Sequence, residues 1–165
     1  MQEEWQSLDT LGYPGYIISN MGEVRNEKNG HVLKLSTNQF GVVRVGLMKR
    51  DENRQKTLSL TRLVAQMFVT GRGPTFNTPI NLNGDRTDNR AENLMWRPRW
   101  FAVKYFAQFK DKPLLAVEIC DVETLWEYNN SREAAVKNGL LEKDVMKSVV
   151  DNDPCFPTWQ RFACV

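Results

Sequence analysis

Hydrophobic and polar positions change period along this chain, and the changes mark out its elements. Val43, Val45 and Leu47 alternate with Arg44, Gly46 and Met48, the period-2 pattern of a strand with one buried face. Leu63, Val64, Met67 and Phe68 instead recur at the spacing of one helical face, which predicts a helix over 61–68 after a strand at 56–60. Upstream, 16–19 and 23–25 are β-prone runs around an Asn20-Met21-Gly22 turn, and Asn29-Gly30 is a second turn. Residues 49–56 read as a charged loop, and the Gly/Pro/Thr-rich 69–78 as another. A short strand at 79–82 runs into Asn83-Gly84, a turn pair tolerant of positive φ. After it, Asp88 or Asn89 is placed to cap a helix anchored by Leu94 and Trp96. Pro98 should interrupt that helix, leaving 100–110 helical or extended.

The C-terminal third repeats the alternation on a smaller scale. An apolar strand at 113–119, a turn at 121–124 and a returning strand at 125–128 lead to a capped helix at 131–140, broken by Gly139. A second helix follows at 142–150, with Val145, Met146 and Val149 on one face, and an aromatic strand at 159–162 closes the chain. Helix, Gly-containing turn and helix form a helix-turn-helix pattern. The reading is α+β, with a small antiparallel sheet and two modules, 1–110 and 111–165.

Composition narrows the classes without choosing among them. At 165 residues, 41% hydrophobic and 25% charged, the chain suits one domain or two small ones. No run approaches the ~20 apolar residues of a membrane span, and the acidic start lacks the apolar stretch of a secretory signal, so a cytoplasmic protein is expected. Three irregularly spaced cysteines, Cys120, Cys155 and Cys164, suggest free thiols rather than a disulfide framework or zinc knuckle. The net charge is only +2, but the stretch 97–112 carries Arg97, Arg99, Lys104, Lys110 and Lys112 against Asp111, interleaved with aromatics. That pattern suits contact with nucleic acid.

Residues 79–96 carry the most specific signal. Gly84, Asp85, Thr87, Asn89, Arg90, Glu92, Asn93, Leu94 and Trp96 resemble the core of the phage and intron-encoded HNH endonucleases, of ββα-metal (His-Me finger) fold. The Gly-Tyr and Ser-Asn-x-Gly-x-Val-Arg block at the N-terminus resembles the module that precedes that core in phage homing endonucleases. The tail resembles their C-terminal DNA-binding repeat. The resemblance implies a ββα core, double-stranded DNA as partner, and possible DNA contacts at Arg25, Lys34, Arg86, Arg90, Arg97, Arg99, Lys104, Lys110, Lys112, Lys143 and Lys147. Glu142, Asp144 and Asp151 weaken that reading of the last helix.

At the positions that carry the family's chemistry the chain differs. Where the family has its His there is Asn81, where it has the preceding acid or amide there is Ile80, and its last metal ligand aligns with Ala102. Thr61 replaces a further His of the upstream helix, and only Asn93 survives, as a brace of the loop. An amide is no base near neutral pH, and neither Ile80 nor Ala102 offers a donor to a hard cation. No catalytic residue and no resident metal or small-molecule cofactor are therefore expected. The expected function is that of a bacteriophage-type DNA-binding pseudoenzyme, regulatory or blocking, in the host cytoplasm. Two alternatives stay open: a nicking enzyme with Mg²⁺ or Mn²⁺ rearranged onto Asp85 and Asp88, and a protein module that inhibits a host enzyme.

Overall fold

The computed structural model describes residues 2–49 and 54–165. The chain is α+β and divides into two units, one of Met1–Asn81 with Asp85–Arg99, the other of Leu82–Gly84 with Trp100–Val165. The division falls ahead of position 110 because the helix that follows Pro98 packs by its aromatic residues with the second unit. Among the described residues, no helix is long and apolar enough to cross a membrane.

In the first unit, strands β1 (Trp5–Ser7), β2 (Tyr16–Ser19) and β3 (Val24–Asn26) form one antiparallel sheet. The β2–β3 turn is held by Ser19, whose hydroxyl accepts from the backbone N–H of Met21 and Glu23. A second sheet orders β4 (Leu35–Thr37), β5 (Val43–Lys49) and β6 (Arg54–Ser59). Val43, Val45 and Leu47 of β5 are buried as their alternation predicts. Part of the charged loop expected at 49–56 lies outside the described residues, and Lys49 and Arg54 already pair as strand residues. Helix α1 (Leu60–Phe68) begins directly after β6, with Ser59 as N-cap, and drives Leu63 and Val64 into a core shared with Leu8, Ile18, Val45, Leu94 and Trp96.

The motif stretch departs from its sequence reading. β7 (Thr78–Asn81) pairs antiparallel with β8 (Leu94–Arg97), so Leu94 and Trp96 belong to a strand, not to a helix. Buried Leu94 and Trp96 flank half-buried Met95, and four residues are too few to separate that alternation from a helical stripe. Neither Asp88 nor Asn89 caps a helix; a single 3-10 turn at Ala91–Asn93 leads into β8. The helix comes after Pro98, as α2 (Arg99–Ala107). Thus β7, β8 and α2 supply the expected strand, strand and helix.

In the second unit, the rings of Phe101, Tyr105 and Phe109 pack along α2 and the turn beyond it. Gly84 belongs to the same unit: a Cβ there would lie 2.6 Å from the Phe109 ring, and its φ is +78°. Glycine is required on both counts. A three-stranded sheet orders β10 (Glu127–Tyr128), β9 (Ile119–Asp121) and β11 (Phe162–Cys164). The apolar run before Ile119 is irregular except at its end, and the last strand begins at Phe162, leaving Trp159 in a turn. Helices α3 (Ser131–Asn138) and α4 (Glu142–Asp151) are joined through Gly139 in the left-handed region. Asn130 caps α3 by accepting from Glu133 N–H at 2.9 Å. Ile119, Ala134, Ala135, Leu140, Val145, Cys155 and Phe162 form this unit's core.

Candidate nucleic-acid interface

The loop between β7 and β8 is held by side-chain amides. Asn81, 2% exposed, donates its Nδ2 to the backbone carbonyl of Asp88 at 2.8 Å. Asn93 donates to the same carbonyl at 2.9 Å. Asn89 donates to the carbonyls of Arg86 and Thr87, and its Oδ1 accepts from the Thr61 hydroxyl at 2.6 Å. Thr61 thus ties the loop to α1. Ala91 N–H donates to the carbonyl of Asn20 at 2.7 Å, tying it to the β2–β3 turn as well.

These residues do not fit a divalent ion. The Ile80 side chain is fully buried and apolar, and Asn81 spends its amide nitrogen on the chain itself. Ala102, on α2 in the second unit, presents a buried methyl group. The two turn carboxylates are occupied locally. Asp85 accepts from the Thr87 hydroxyl at 2.7 Å and the Thr87 N–H at 2.8 Å, which hold its carboxyl below the usual carboxylate range. Asp88 receives Arg90 through Nε and Nη2, both at 2.9 Å, and Arg90 also reaches Glu92 at 2.8 Å. Among the described residues, no three His, Cys, Asp or Glu side chains converge to hold a metal ion.

The cations divide between the two units. In the first, Arg25 lies 4.2 Å over the Trp5 ring and pairs with Glu23, while Lys34 is exposed. Arg86 is half-buried, and Arg90 and Arg99 are exposed. Arg97 is 6% exposed and donates to the Trp96 carbonyl at 3.0 Å, which removes it from the basic surface expected from the sequence. It ends β8, the strand found where a helix was expected, and is buried together with Trp96 before it. In the second unit Lys104, Lys110, Lys112, Lys143 and Lys147 are all exposed. Lys104, Lys112 and Lys143 line one cavity of about 380 Å³. Arg132, not singled out in the sequence, lines it too and forms an ion pair with Glu142, whose carboxylate is 1% exposed. A Glu opening α4 looks like an exposed first-turn acid; only the fold shows that it is buried.

A structure of the HNH homing endonuclease I-HmuI, described as binding and cleaving DNA, superposes on this chain with a TM-score of 0.56, covering 98% of each chain at 23% identity. The fold is that of an HNH homing endonuclease. The sequence is also similar to HNH endonucleases. Two uncharacterised HNH endonucleases of Acanthamoeba polyphaga mimivirus are 38% identical over 95 residues and 36% identical over 96. Those stretches make up 57% and 58% of this chain, but only 23% and 27% of the relatives. The chain thus spans about a quarter of the length of the HNH endonucleases it matches. No family model matches it.

Proposed function

We propose that this protein uses an HNH homing-endonuclease scaffold to bind double-stranded DNA without cutting it, as a regulator or a block on the DNA it occupies. One observation carries the reading: Asn81, at the position that the sequence resemblance assigns to the family's His, commits its amide to the Asp88 carbonyl, and Ile80 before it is buried and apolar. General-base help is worth about 10²–10⁴ in rate, and a catalytic metal contributes several kcal/mol more. Losing the groups for both leaves no route to a useful rate at the same place. The exposed cations of both units support retained binding to phosphate, and the resemblance in fold to a protein that binds and cleaves DNA supports the partner class.

Two assays test this together. Gel shift of a duplex should show binding at low salt that weakens steeply as salt rises, since six to ten phosphate contacts lose about 10³–10⁵ in affinity between roughly 50 and 200 mM. Supercoiled plasmid with Mg²⁺ or Mn²⁺ should stay intact, and Asn81→His alone should not nick it, because position 80 still lacks a donor. Absence of any low-salt shift would overturn the binding half of the proposal. Nicking lost in Asp85→Ala or Asp88→Ala would overturn the other half and favour a site rebuilt on the turn carboxylates.

A further inference from the structure

We infer that the second unit binds unpaired nucleotides, stacking bases on the exposed indoles of Trp100 and Trp159 while the adjoining phosphate enters the cavity lined by Lys104, Lys112 and Lys143. The inference rests on the DNA-binding reading and adds to duplex binding a second ligand, a strand whose base faces are open.

Trp100 is 52% exposed and Trp159 63%. Both rings contact Phe156, with centroids 5.6 Å and 6.3 Å from it, so the three rings form one aromatic cluster. Trp159 has φ +63°, an unfavourable backbone region for a bulky side chain. It is held there by a closed turn: Trp159 N–H donates to the Cys155 carbonyl at 2.7 Å, and Cys155 N–H to the Gln160 carbonyl at 2.8 Å. Cys155 itself is fully buried and anchors the turn in the core. The strain therefore delivers a large apolar ring to water instead of burying it. Strain of that kind is a feature of ligand-binding sites.

Charge selects the occupant. The Lys104 ammonium lies 5.2 Å over the Trp100 ring and also lines the cavity, linking the aromatic cluster to the basic pocket. Ala107, Leu114 and Leu141 give the cavity apolar walls, and its volume of about 380 Å³ falls within the range of small-ligand sites. Three carboxylates also line it. Glu142 is neutralised by Arg132 and accepts from the Ser131 hydroxyl and Leu114 N–H; Asp144 faces Lys104 and Lys147; Asp111 is exposed. The Gln108 carbonyl oxygen accepts from Glu142 N–H at 2.9 Å, and its buried Nε2 finds no acceptor among the described residues. A phosphodiester oxygen is the acceptor it lacks. Aromatic faces beside a basic groove are how proteins hold single strands, because every base has a face to stack. In a duplex those faces are covered.

Fluorescence anisotropy of the full chain with a labelled oligothymidylate about a dozen nucleotides long, a site size ordinary for such proteins, and with a blunt duplex of equal length, tests this. The wild type should bind the single strand. Trp100→Ala and Trp159→Ala should each weaken that binding about tenfold and leave duplex binding unchanged, with Trp100→Phe restoring most of the loss. Lys104→Ala with Lys112→Ala should flatten the salt dependence. Duplex binding without single-strand binding, or indole variants that weaken both ligands equally, would overturn the inference and leave the duplex reading standing. If neither ligand binds, both readings fail.

Discussion

Thr61→Val isolates the bond that fixes the motif loop to α1. The substitution keeps the shape of the side chain and removes only the hydroxyl donor. Thr61 is 7% exposed and Asn89 4%, so no solvent is at hand to replace the 2.6 Å bond. An ordinary hydrogen bond contributes about 1 kcal/mol net, and stranding a buried acceptor raises the loss to about 1–3 kcal/mol. Asn89 keeps its two donations to Arg86 and Thr87, so the side chain stays in place with its Oδ1 stranded. A loss near 2 kcal/mol should lower the melting temperature by ~4–8 °C for a chain of this size. Thr61→Ser retains the donor and gives up one buried methyl, worth about 0.8 kcal/mol. Thermal and urea unfolding followed by far-UV circular dichroism should rank wild type above Thr61→Ser, and Thr61→Ser above Thr61→Val. A Val variant as stable as wild type would show that the hydroxyl carries nothing, and that the loop is held by its other hydrogen bonds.

Other substitutions probe the second unit. Arg132→Ala strands the Glu142 carboxylate and should cost about 3–5 kcal/mol, with Arg132→Ala/Glu142→Gln recovering much of it; equal urea midpoints for the single variant and wild type would refute the pairing. Glu133 accepts from the backbone N–H of Asn129 and then from its amide, which hold its carboxyl below the usual range. Its contribution is therefore present above the unfolded value of 4.5 and lost as pH falls through the lower folded value, so Glu133→Gln should destabilise at pH 7 and much less near pH 3. Burial pushes the Cys155 thiol up to about 12, with Asp144 and Asp121 adding to the rise, so it should escape alkylation at pH 8 while exposed Cys164 reacts. Peptide mass spectrometry after a short iodoacetamide pulse reads this, and labelling of Cys155 at the rate of Cys164 would contradict it.

Much of this protein was legible from local pattern. The alternation of Val43, Val45 and Leu47 and the helical spacing from Leu63 to Phe68 depend only on neighbours along the chain, and both elements lie where their periods place them. The residues from Gly84 to Trp96 were enough to point to the HNH endonucleases, because a turn, a brace and two anchors at set spacing amount to a signature without coordinates. The chemical identities of Ile80, Asn81 and Ala102 were equally plain. Tertiary structure decided the rest, through contacts between residues remote in sequence. Pairing with β7 made Leu94–Arg97 a strand, where the short apolar run fitted a helix as well, and tertiary packing buried Arg97 at its end. Packing decided that Gly84 serves Phe109 as much as its own turn, and that Glu142 is a buried partner of Arg132. It also decided that the amides of Asn81 and Asn93 meet on one carbonyl. Periodicity records which face of an element is apolar; it does not record what comes to lie against that face, and hydrogen bonding and charge neutralisation depend on what does.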